Sequence, residues 1–145
     1  MNERTPAQRQ HMLDVADAIE FNPDNFDMAE VLGVGPCGSV ACIAGWSDAL
    51  RFNIDMTQTN ECTLQSCERD QSGKLLHYWE RFALRTGLSV ADSRRLCGDR
   101  GIGAAHEMPD HLRAKGIADA LRQIADGANY SDALDDVVVR YGGAL

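Results

Sequence analysis

The sequence predicts a mainly α protein: one small domain, residues 1–145, of five to six helices around a central buried helix, with a minor β-hairpin. Apolar residues recur at spacings of three and four through most of the chain, and helix start and stop residues bracket those stretches. A length of 145 residues with 44% hydrophobic content suits a single core.

Thr5-Pro6-Ala7-Gln8 opens the first helix, with Thr5 as cap, Pro6 at the first helical position and Gln8 able to complete a capping box. Met12, Val15, Ala16 and Ile19 share one face. Asn22-Pro23-Asp24 stops the helix near Glu20 or Phe21, because the residue before a proline avoids helical angles. Phe26 and Met28 are read as anchors into the core, followed by a helical turn over Ala29 to Leu32. Gly33, Gly35, Pro36 and Gly38 then make a tight turn that leads into the central helix, Ser39 to Leu50. Gly38, Ala41, Cys42 and Gly45 give that helix a small-residue side, and Val40, Ile43, Trp46 and Leu50 cover much of the rest.

Phe52, Ile54 and Met56 alternate with polar residues as a half-buried strand does, and the polar stretch 57–73 is read as completing a hairpin. Lys74 to Thr86 is a helix with Leu75, Trp79 and Phe82 on one stripe and Gly87 as its C-terminal cap. Ser89 caps a short helix through Leu96 that Gly98 ends, and 98–103 is read as a flexible, glycine-rich connection. Pro109 to Ala125 forms the next helix, with Ile117, Ala118, Leu121, Ile124 and Ala125 inward and Gly127 as its stop. The last helix follows Ser131 as cap, turns Leu134, Val137, Val138 and Tyr141 inward, and ends at Gly142-Gly143.

A net charge of −8, from 22 acidic and 14 basic residues, argues against a protein that binds nucleic acid by neutralising phosphates. Five cysteines form an odd set, and Met1-Asn2-Glu3-Arg4 opens no hydrophobic leader, so reduced thiols and a cytoplasmic location are expected. No apolar run approaches the ~20 residues of a membrane span. Neither a membrane nor a cofactor is expected as a partner, and a homo-oligomer is left open.

Three chemistries compete for the site. The two glycine-rich loops can turn backbone amides toward an anion, with Gly35, Cys37, Gly38 and Ser39 in the first and Arg94, Arg95, Arg100 and Gly101 at the second. That set suits a small anionic, nucleotide-like ligand. The first loop lacks the lysine and spacing of a phosphate-loop ATPase, and neither loop follows a strong strand. Alternatively, Cys37 at a helix start can act as a thiolate with His106 as base, in a cysteine-dependent hydrolase or transferase. Finally, Cys37-x4-Cys42 and Cys62-x4-Cys67 invite a zinc-stabilised interaction module. Helix positions five apart point roughly 140° from each other, however, and no metal ligand is assigned. Trp46 and Trp79, at helical spacing, are read as core, His77 as partly packed beside Tyr78, and His11 and His111 as surface.

Phe26-Asp27-Met28, the run from Cys37 to Trp46, and Thr86-Gly87-Leu88-Ser89 with Ala91 and Leu96 resemble a recurring set of small uncharacterised bacterial and bacteriophage proteins. Those carry a Phe-Asp-Met box, a Cys-Gly-Thr-x-x-Cys-Ile-Ala-Gly box and a Leu-Gly-Leu followed by Leu-Phe. Ser39 replaces the usual threonine and keeps its hydroxyl, Thr86 precedes Gly87 where leucine is usual, and Cys97 stands where phenylalanine is common. The resemblance implies a cytoplasmic accessory protein of a phage or mobile element. Its expected partner is a small anionic ligand or a host protein, bound as a counter-defence inhibitor.

Overall fold

A computed structural model describes residues 4–28, 33–35, 38–40, 42–53 and 71–142, by backbone alone at 33–35 and 38–40. The described chain is mainly helical: α1 (Pro6–Phe21), a 3-10 turn (Pro23–Asn25), β1 (Gly33–Gly35), β2 (Gly38–Val40), α2 (Ile43–Arg51), α3 (Tyr78–Thr86), α4 (Val90–Cys97), α5 (Asp99–His106), α6 (Asp110–Ala125) and α7 (Tyr130–Gly142).

The capping box forms as its residues dictate: Thr5 Oγ1 accepts from the Gln8 amide at 3.1 Å and Gln8 Oε1 accepts from the Thr5 amide at 2.9 Å. Met12, Val15, Ala16 and Ile19 are fully buried. They turn α1 toward α6, whose Ile117, Leu121 and Ile124 are equally closed to solvent. α7 and α5 also pack against α6. Buried most completely for its length is α2, in which every residue from Ile43 to Ala49 is buried, between α1 and α3.

Three expectations need correction. The central helix starts at Ile43, not Ser39, because Gly38–Val40 pairs antiparallel with Gly33–Gly35, Val34 opposite Ser39. Each glycine costs a helix about 1 kcal/mol, whereas Val34 and Val40 favour extended backbone. The small-residue side through Gly38 is therefore absent, and Cys42 is the residue that precedes the first helical turn. The strand expected from Phe52 does not begin there: Phe52 closes α2, and Asn53 takes a left-handed conformation at φ 53°. The rest of that strand, the hairpin over 57–70 and the turn over 29–32 lie outside the described residues. Finally, 98–103 is no loop but the start of α5, which brings the count to seven α-helices among the described residues. Its Ala104 and Ala105 are buried, and Gly101 lets it close on α4, since a Cβ there would fall 1.9 Å from the Leu96 carbonyl oxygen.

Smaller differences have local causes. α3 begins at Tyr78, leaving Leu75 outside the helix and 48% exposed. Gly87 caps it in the left-handed conformation at φ 77°. α7 begins at Tyr130, with Asn129 in the capping role read for Ser131: its Oδ1 accepts from the Ser131 amide at 2.9 Å.

One buried ionic cluster fastens the helices. Asp48 on α2 accepts from Arg81 Nε at 3.0 Å and Nη2 at 2.7 Å, and from Arg85 Nη1 at 2.6 Å. Arg81 also donates to the Leu76 carbonyl, and Ser47 beside Asp48 hydrogen-bonds His11 of α1 at 2.7 Å. Burying a carboxylate is costly unless it is paired and hydrogen-bonded, and two arginines one turn apart on α3 pair it.

Candidate ligand-binding site

The α3–α4 corner builds a cleft. Gly87 ends α3 and Ser89 starts α4 by accepting from the Asp92 amide at 3.1 Å, so the chain reverses within a few residues. Ser93, fully buried, then donates to the Trp79 carbonyl at 2.6 Å and clamps the start of α3 against α4. The resulting open cleft of about 530 Å³ is lined by Tyr78, Trp79, Ala91, Arg94, Arg95, Gly98 and Asp99.

Tyr78 and Trp79 are the aromatic part of that lining, and His77 adjoins them. His77 stacks on Trp79 with centroids 4.4 Å apart and planes 10° from parallel, and Tyr78 meets Trp79 edge-on at 4.8 Å. The Arg94 guanidinium lies over the Trp79 ring, 5.1 Å from its centroid. Burial, and then the neighbouring Cys42 and Cys97, raise the Tyr78 hydroxyl above its ordinary pKa, so it stays a neutral donor at physiological pH.

Most of the described arginines are ion-paired. Arg9, Arg81, Arg85, Arg100, Arg113, Arg122 and Arg140 each sit on a carboxylate. The guanidinium groups of Arg94 and Arg95, both exposed, make no ion pair or hydrogen bond with any described residue. In a chain of net charge −8, two adjacent cations without a carboxylate partner mark a place where an anion can be held.

The expected site residues are thus divided. Arg94 and Arg95 share the cleft with Gly98 and Asp99. Arg100 faces elsewhere, donating to Asp135 at 2.5 Å and Ser131 at 3.1 Å, and Gly101 is buried against α4. Gly35 and Gly38 face each other in the β1–β2 pair and Ser39 pairs with Val34, so that segment holds no helix N-terminus. Cys37 lies outside the described residues, as do Cys62 and Cys67. His106 is exposed and lines a second cleft, about 270 Å³, with Phe26, Asp27, Met28, Asp110 and Arg113; Asp110 is ion-paired to Arg113.

The described thiols are poor nucleophiles. Cys42 is 1% exposed and burial raises its pKa, outweighing the Gly45 and Ala44 amides that favour a thiolate. Cys97, 2% exposed, is raised further, again by burial first. Among the described residues no three His, Cys, Asp or Glu side chains converge as a metal site, and no helix is long and apolar enough to cross a membrane.

Trp79, Tyr78 and Asp99 were not among the expected site residues. His77-Tyr78-Trp79 was the available signal: three rings in a row cannot all face one core, so some must line a surface. No protein-family model, no curated protein and no solved structure matches this chain.

Proposed function

We propose that the chain is a non-catalytic binding module for a small anionic ligand, held in the cleft between α3 and α4, in the phage or mobile-element setting that the resemblance implies. The observation that carries this reading is the pair Arg94 and Arg95, without carboxylate partners among the described residues and beside the half-buried Trp79. Guanidinium groups bind phosphate and carboxylate through paired hydrogen bonds, and an aromatic wall lowers the local dielectric at which they act. A cleft of this size falls within the range of small-molecule sites.

Thermal unfolding against a panel of phosphate, polyphosphate, carboxylate and nucleotide compounds tests the reading. A ligand at a hundred times its dissociation constant adds about 2.7 kcal/mol, which raises the midpoint by roughly 5–10 °C. The double variant Arg94→Ala/Arg95→Ala should abolish that rise while leaving the unliganded midpoint nearly unchanged. No rise with any anion, or an undiminished rise in the double variant, would remove this cleft as the site.

A further inference from the structure

We infer that the ligand of this cleft is a free nucleotide, a planar ring bearing a phosphate, and that Arg94 couples recognition of the ring to recognition of the phosphate by exchanging Trp79 for the anion. The inference rests on the anion reading of the cleft and adds to it the ring and the exchange. The Arg94 guanidinium lies over the indole, 5.1 Å from its centroid, with no carboxylate partner among the described residues. His77 already stacks on the same ring at 4.4 Å and Tyr78 abuts its edge at 4.8 Å. A ligand ring therefore reaches the indole by taking the guanidinium's place.

Three ligands meet that arrangement differently. Inorganic phosphate draws Arg94 off the indole and leaves the ring bare to water. A nucleoside displaces the guanidinium and offers it no anion. A nucleotide does both at once: its base covers the indole that Arg94 leaves, and its phosphate receives Arg94 together with Arg95. The whole chain, at net charge −8, disfavours a long polyanion and so points to the free nucleotide over a nucleic-acid strand.

The test is a calorimetric titration of the full chain with inorganic phosphate, adenosine, AMP and a short single-stranded oligonucleotide, followed in parallel by the indole N–H resonances. The two tryptophans are separable, because Trp46 is buried with its Nε1 donating to the Asn25 carbonyl at 3.1 Å, while Trp79 borders the cleft. Trp79→Phe assigns the signals and keeps a ring. AMP should bind at least about tenfold more tightly than phosphate or adenosine, shifting the Trp79 signal alone. Arg94→Ala should weaken AMP about tenfold and strengthen adenosine about two- to fivefold, since no guanidinium then has to leave the ring. Arg95→Ala should weaken AMP and leave adenosine unchanged. That opposite sign at Arg94 is what a charge acting only as an anion partner cannot produce.

If phosphate binds as tightly as AMP, the ring and the exchange fall while the anion site stands. If adenosine binds as tightly as AMP and ignores Arg94→Ala, the anion reading falls too; if no probe binds, the nucleotide assignment falls, and the anion reading falls with it only when the thermal panel shows no rise either. An oligonucleotide that binds more tightly than AMP would overturn the assignment to a free nucleotide.

Discussion

Replacing Asp48 by alanine removes the carboxylate that accepts from both Arg81 and Arg85 while leaving them packed between α2 and α3, where Arg81 keeps the Leu76 carbonyl and Arg85 the Ser47 hydroxyl as acceptors. The Asp48 side chain is 1% exposed and the two arginine side chains 9% each, so water is largely excluded from the cluster. Three hydrogen bonds are lost, at 3.0, 2.7 and 2.6 Å. Counted singly at about 1.5–3 kcal/mol each for charged partners they would overshoot, because the pair also loses its desolvation penalty. Breaking a buried ion pair from one side costs about 3–5 kcal/mol, mostly from the charge left behind. The expected loss is therefore about 3–5 kcal/mol, or roughly 6–20 °C in melting midpoint for a domain of this size. Chemical denaturation with an unchanged m-value would measure it, and Asp48→Asn, which keeps one acceptor, should fall between alanine and the parent. The triple variant Asp48→Leu/Arg81→Met/Arg85→Met should lose less than Asp48→Ala, since no buried guanidinium then stands without the Asp48 carboxylate. A loss below about 1 kcal/mol for Asp48→Ala would refute the reasoning, as it would place the cluster in the range of exposed pairs.

Gly101→Ala should cost at least about 1–3 kcal/mol in equilibrium unfolding, because its Cβ would sit 1.9 Å from the Leu96 carbonyl oxygen and the α4–α5 junction must open. Gly87→Ala should cost about 1 kcal/mol or more, set by the left-handed φ of 77°, a backbone demand that Gly87→Asn should partly meet. Leu121→Ala, fully buried on α6, should lose about 2–5 kcal/mol; a smaller loss would mean that the α1–α6–α7 core collapses around the cavity. Alkaline pH should destabilise the fold through Cys97 and Cys42, whose thiols burial raises. Above the ordinary thiol pKa of about 8.5 the unfolded chain loses protons that the folded chain keeps, so stability falls by up to about 1.4 kcal/mol per pH unit per thiol. It is fully present below that value. Denaturation from pH 7 to 10 should show this slope, and Cys97→Ala should flatten it.

Much of the helical frame was legible because its determinants are local. Thr5, Pro6 and Gln8 specify the start of α1 within one turn, Gly87 and Ser89 specify the α3–α4 corner, and the spacing of Ile117, Leu121 and Ile124 specifies the buried face of α6. The glycine-rich stretches were not legible in this way. Gly33–Gly35 with Gly38–Val40 becomes a paired ribbon, while Asp99–His106, with glycines at 101 and 103, becomes a helix. Glycine has little local preference, so whatever packs against the segment decides: strand pairing in one case, the Leu96 carbonyl and the buried Ala104–Ala105 face in the other.

The candidate site divides along the same line. Sequence alone marked Arg94 and Arg95 as cations beside a turn, and the net charge of −8 made spare cations informative. It could not pair Arg9 with Asp126 or Arg122 with Asp17, which join residues more than a hundred positions apart. Nor could it tell Trp46 from Trp79, which share helical spacing. The tertiary structure buries the first against the Asn25 carbonyl and sets the second beside Arg94, because α2 is buried from Ile43 to Ala49 whereas the first turn of α3 borders solvent. Local chemistry determined which residues could be helical or charged; long-range packing decided which charges were left over and which ring they face.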